Sequence, residues 1–146
     1  MAASALEQRL RDLMDNMYAT GSLEKQFEAL EKLQEDGNPD FITEVVTLFS
    51  DEGARIISQL AELLYKMPTV DFEKLERATH KLNGISGSVG AQKVTNTCIQ
   101  LHDFCQQKSR DGCVKTLESM RTEFYDMREK FQTMLQLERQ IRSFSP

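Results

Sequence analysis

From Cys113 to Met134 the apolar residues recur at intervals that alternate four and three: Cys113, Leu117, Met120, Phe124, Met127, Phe131 and Met134. Such spacing returns each side chain to one face of an α-helix, so the stretch predicts a long helix packed along its neighbours. The rest of the 146 residues reads the same way. Leu6, Leu10, Leu13, Met14 and Met17 share one helical face, which ends at Gly21. Ser22 is expected to cap a short second helix with Phe27, Leu30 and Leu33 inward. A third helix is expected from about Pro39, in its first turn, to Tyr65. Its apolar face is broad and includes Leu48, and Gly53 lies inside it at a cost of about 1 kcal/mol relative to alanine. Asp71 caps a fourth helix that Gly90 stops, and a fifth starts near Ala91 with Val94, Cys98, Leu101 and Cys105 inward. Ser109-Arg110-Asp111-Gly112 reads as the turn before the long sixth helix. No stretch alternates with a period of two. The expected fold is all-α, a four-helix bundle core with two additional N-terminal helices, as a single domain over residues 1–146.

Composition narrows the function. With 18 Lys and Arg against 23 Asp and Glu the formal charge is −5, so nucleic acid is not an expected partner. No apolar run approaches the roughly 18 residues of a membrane span, and the first residues lack the basic and apolar regions of a signal peptide. Three cysteines, Cys98, Cys105 and Cys113, have no metal-like spacing and read as small core residues in a reducing compartment. The two histidines, His80 and His102, leave little room for a metal site or a triad. Arg121, Arg128, Lys130, Arg139 and Arg142, interleaved with Glu123, Glu129 and Glu138, read as a solvated face.

The fourth helix carries the unusual feature. At about 100° per residue, Phe72, Leu75, Ala78, Leu82, Ile85 and Val89 gather on the side opposite His80. His80 therefore faces outward. Glu73, Gly84 and Gly87 lie within roughly 40° of it, flanked by Glu76 and Arg77. Each mid-helix glycine costs roughly 1 kcal/mol, and a flat patch beside a reactive imidazole would explain them. The glycines could equally serve helix packing, and a lone exposed histidine is commonly only a surface residue. His102, bordering the inner stripe of the fifth helix, reads as a structural or surface residue. One exposed imidazole without a triad or a metal can still act as a nucleophile that takes a phosphoryl group.

Thr79-His80-Lys81-Leu82-Asn83-Gly84-Ile85-Ser86-Gly87-Ser88-Val89-Gly90-Ala91 resembles the phosphoacceptor segment of histidine-containing phosphotransfer proteins, whose usual pattern is His-x-Leu-Lys-Gly. Phe41-Ile42-Thr43-Glu44-Val45-Val46-Thr47-Leu48-Phe49, Phe104-Cys105-Gln106 and Ser109-Arg110-Asp111-Gly112-Cys113 are similar to the plant members that serve cytokinin-type phosphorelays. The resemblance implies a carrier without kinase activity of its own, monomeric, cytoplasmic and nuclear. It implies that His80 takes a phosphoryl group from a receiver-domain aspartate of a hybrid histidine kinase and passes it to the receiver of a response regulator. It places Asn83 beside the phosphoryl group and makes Gly84 the glycine that lets the receiver approach; helical geometry adds Lys81, about 100° round from His80, as a neighbour, and Arg77, Gly84, Gly87 and Ser88 as the receiver-docking surface, with the N-terminal helices at its rim. No intrinsic cofactor or metal is implied; the receiver brings Mg²⁺. The family's lysine three residues after the histidine is Asn83 here, which donates hydrogen bonds but has no charge. The alternative reading is a binding-only or weakly active module that competes for receivers.

Overall fold

A computed structural model describes residues 2–144. Six helices follow one another among them: α1 (Ala2–Ala19), α2 (Gln26–Glu35), α3 (Phe41–Tyr65), α4 (Phe72–Ser88), α5 (Gln92–Gln106) and α6 (Arg110–Arg142). Helices α3, α4, α5 and α6 pack in a closed ring, each against two others, which makes the four-helix core. Helix α1 lies on α6, and α2 lies on α3 and α4. The only extended pairing among the described residues is an isolated bridge between Leu23 and Ala91.

The four–three stripe of α6 is buried from Cys113 to Met134 and continues to Leu137. It forms the axis of the core because α1, α3 and α5 all pack on it. Phe49 of α3 meets Phe124 and Phe131 of α6 at ring-centroid distances of 5.1 and 5.7 Å, and Phe27 of α2 stacks on Phe131 at 5.9 Å. Gly53 is explained by this cluster: the Phe124 ring occupies the space where a Cβ would stand. The helix accepts a weaker former so that an aromatic ring can reach its backbone.

Several boundaries differ from the sequence reading, each for a local reason. Ser22 does not cap α2; it is buried, and its carbonyl accepts the Gln92 N–H at 3.3 Å, which ties the N-terminal segment to the start of α5. Lys25 stands at the cap position of α2 and makes no side-chain cap. Pro39 lies before α3, whose cap position is Asp40. Leu33 and Leu48 each point outward, 55 % exposed, because the apolar faces of α2 and α3 are narrower than their sequences suggest. Ser109-Arg110-Asp111-Gly112 is the first turn of α6 rather than a loop: the Ser109 side chain accepts the Gly112 N–H at 3.1 Å. Gly112 is buried there under the Phe104 ring. The chain reverses one residue earlier, at Lys108, which takes φ +54°. Asp71 caps α4 as expected, its carboxylate accepting the Lys74 N–H at 3.1 Å.

The end of α4 fixes where the N-terminal helices meet the site helix. Gly90 takes φ +70°, and the Ala91 N–H reaches back to the Ser86 carbonyl at 2.9 Å while the Gly90 N–H bonds Gly87. These are the paired bonds of a left-handed helix stop. The Glu24 N–H donates to the Gly90 carbonyl at 3.0 Å, so the segment before α2 abuts this stop, whereas α1 stays on α6. No helix among the described residues is long and apolar enough to cross a membrane.

Candidate functional site

Helix α4 has a continuous inner face. Leu75, Ala78, Leu82 and Val89 are buried, and Phe72 and Ile85 are half-buried against the core. Two hydroxyls share that face. Thr79 donates to the Leu75 carbonyl and Ser86 to the Leu82 carbonyl, each at 2.7 Å, so neither is left unsatisfied. Thr95 of α5 donates to the Ser86 hydroxyl at 3.2 Å and fastens α5 to α4.

Anchoring of this inner face sends His80 outward. Its residue is exposed, and among the described residues no hydrogen bond or ion pair engages its imidazole. Gly84 is exposed and Gly87 half-buried, and a Cβ built on either would meet nothing within 4 Å. This decides between the two readings of the glycines: they do not pack against a neighbouring helix. They leave open space one and two turns beyond the imidazole. Ser88, also exposed, turns its hydroxyl back to the Ile85 carbonyl at 2.7 Å.

His80 stands in the wall of a cleft of about 250 Å³ between α4 and α5, lined by Glu76, Thr79, Asn83, Cys98, Ile99 and His102 as well. A shallower depression on the same side is lined by Glu73, Glu76, Arg77, His80, Lys81 and His102. Asn83 thus lines the cleft, Arg77 and Lys81 line the depression, and His80 lines both, with Glu76 and His102. Gly84, Gly87 and Ser88 continue the surface along α4 without lining the cleft. The Oδ1 atom of Asn83 is buried and has no hydrogen-bond partner among the described residues.

Sequence reasoning missed the second wall. His102 donates from Nδ1 to Glu76 Oε1 at 2.7 Å across the α4–α5 seam, and the Gln106 amide donates to the same oxygen. Two stripes carried the signal: Glu76, His80 and Asn83 on α4, and Ile99, His102 and Gln106 on α5 each recur at helical spacing beside a buried face. What a single helix could not give was their apposition.

The cysteines are free and buried. Burial pushes the Cys98 and Cys105 thiols up to about 12, so they stay protonated. Among the described residues no group of three or more His, Cys, Asp or Glu could hold a metal ion. The expected solvated face of α6 is mixed. Lys130 pairs with Asp126 at 3.0 Å, Arg128 lies over the Tyr125 ring at 5.9 Å, and burial holds the Glu138 carboxyl above its ordinary range.

Residues 44–140, from the first turn of α3 to near the end of α6, match the Hpt domain family. The chain is 58% identical to histidine-containing phosphotransfer protein 1 of Oryza sativa subsp. japonica over 146 residues, covering 100% of this chain and 99% of the relative. It is 51% identical to histidine-containing phosphotransfer protein 2 of the same organism, covering 100% of this chain and 98% of the relative. The crystal structure of a histidine-containing phosphotransfer protein from maize superposes with a TM-score of 0.90 at 55% identity, covering 93% of this chain and 99% of that one. The chain belongs to the histidine-containing phosphotransfer family, a family of helical bundles.

Proposed function

We propose that the chain is a phosphorelay carrier whose acceptor is His80. The observation that carries this reading is the free imidazole of His80 on a helix whose neighbouring glycines leave the approach open. A lone pair on one ring nitrogen attacks the phosphorus of a receiver's aspartyl phosphate. The N–P bond forms and the P–O bond to the aspartate breaks, its electron pair leaving with the carboxylate. The proton on the other ring nitrogen passes to solvent. Transfer onward repeats the exchange in reverse at the aspartate of a second receiver.

The partners are receiver domains of hybrid histidine kinases and of response regulators. The first receiver supplies Mg²⁺ along with the aspartyl phosphate, and the carrier has no kinase activity of its own. Arg77, Gly84, Gly87 and Ser88 form the docking surface, with the segment before α2 at its rim where Glu24 meets Gly90. The same reading gives the carrier a place in a cytokinin-type multistep relay in cytoplasm and nucleus, acting as a monomer. Incubation with a ³²P-labelled receiver tests the reading. The carrier should acquire label that survives base and is lost in acid, and His80→Gln should acquire none. Receiver binding without label on the wild type would overturn the carrier reading and leave a competitor for receivers.

A further inference from the structure

The transfer site has a balance of charge that a phosphoryl group would upset. Glu73 and Glu76 face Arg77 and Lys81 around His80, two carboxylates against two cations. A phosphoryl group brings about two more negative charges. Where the family has a lysine, Asn83 supplies none. The remaining group in the cleft able to gain a charge is His102.

Its setting suits that use. The Glu76 carboxylate accepts a hydrogen bond from Nδ1 at 2.7 Å, which orients the ring and leaves Nε2 free for the phosphoryl group. Gln106 holds the same carboxylate oxygen from the next turn of α5, so the ring is braced rather than free. The pair is not explained by stability. The His102 side chain is 53 % exposed and that of Glu76 31 %, and such surface pairs contribute little to folding. On α5 the other charged neighbour is Asp103, which is exposed, and no residue of α6 lines either wall.

We propose that His102, braced by Glu76, supplies to the phosphoryl group on His80 the positive charge that Asn83 lacks. The inference rests on the carrier reading. In the neutral ring Nε2 only accepts a hydrogen bond, whereas in the cation it donates one to a phosphoryl oxygen. Transfer then requires two histidines in opposite states: His80 neutral to attack, His102 protonated to receive the charge. Glu76 is a positioning residue, since its carboxylate holds the ring by Nδ1.

The test is the initial rate of transfer from a phosphorylated receiver, measured from about pH 6 to pH 8.5, where histidine titrates. The proteins compared are wild type, His102→Gln, His102→Arg and Glu76→Gln, with helical content checked by circular dichroism. Loss of one charge-assisted hydrogen bond predicts a slowing of about tenfold or more in His102→Gln. His102→Arg should restore most of the rate. Glu76→Gln should also slow transfer, by less than His102→Gln does, since the ring remains but loses its brace. Wild-type label with His102→Gln within twofold of it across the range would overturn this inference alone. No label on the wild type would overturn the carrier reading, and this inference with it.

Discussion

Replacing Gly84 by alanine sets fold and function against each other. In the structure an added methyl at this exposed position in α4 meets nothing within 4 Å. The substitution should therefore return the ordinary helix preference of alanine over glycine, about 1 kcal/mol. In a chain of this size that is a rise of roughly 3–4 °C in Tm. The same methyl stands about 1.5 Å proud of the backbone beside His80, where a receiver must approach. Overpacking of that kind costs about 1–3 kcal/mol, so receiver affinity should fall by about tenfold. Gly53 supplies the control. There the propensity gain is the same, but the Phe124 ring fills the space and Phe49 blocks its retreat at 5.1 Å. Gly53→Ala should lose up to about 2 kcal/mol net, the overpacking penalty less the propensity gain. Thermal unfolding by circular dichroism and receiver titration by calorimetry read both effects. A Gly84→Ala protein that unfolds earlier than wild type would refute the claim that this glycine has no packing role. One that is stabilised and still binds receivers fully would refute its role in docking.

Three further expectations follow from the same geometry. Asn83→Lys restores a cation inside the cleft, so transfer should quicken, and the penalty of His102→Gln should shrink in that background; equal penalties in a double-mutant cycle would separate the two positions. Burial, then Glu31, raises the Glu138 carboxyl against the lowering effect of Arg142. A raised carboxylate contributes stability below its unfolded value and loses it as pH rises through the folded one, so Glu138→Gln should raise Tm at pH 7. The gain should vanish near pH 4. Iodoacetamide at about pH 8 should leave Cys98, Cys105 and Cys113 unmodified in the native protein and label all three once it is unfolded, as expected for buried protonated thiols.

Periodicity in the sequence reached the helices and the outward direction of His80, because both depend on residues within one helix. Leu75, Ala78, Leu82 and Val89 lie three, four and seven apart and are all buried, and that alone turns His80 to solvent. The helix starts were less legible. Ser109-Arg110-Asp111-Gly112 has the composition of a turn, yet the same serine that favours turns also caps, and Gly112 is required by the Phe104 ring rather than by backbone conformation. Ser22 was drawn away from its cap by a tertiary bond to Gln92. Leu33 and Leu48 sit on helical stripes without a neighbour to cover them. The Glu76–His102 pair was hidden for the same reason: its partners are 26 positions apart, on helices whose relative rotation periodicity does not set.

The chain has only two histidines, His80 and His102, and they share one cleft, so the place of the phosphoryl group is the most direct question to put to it. Tandem mass spectrometry at alkaline pH, on protein charged by a phosphorylated receiver, answers it. The account predicts one added phosphoryl group, on His80 alone, with His102 unmodified. Phosphate found on His102, or on any residue once His80 is replaced by glutamine, would contradict it.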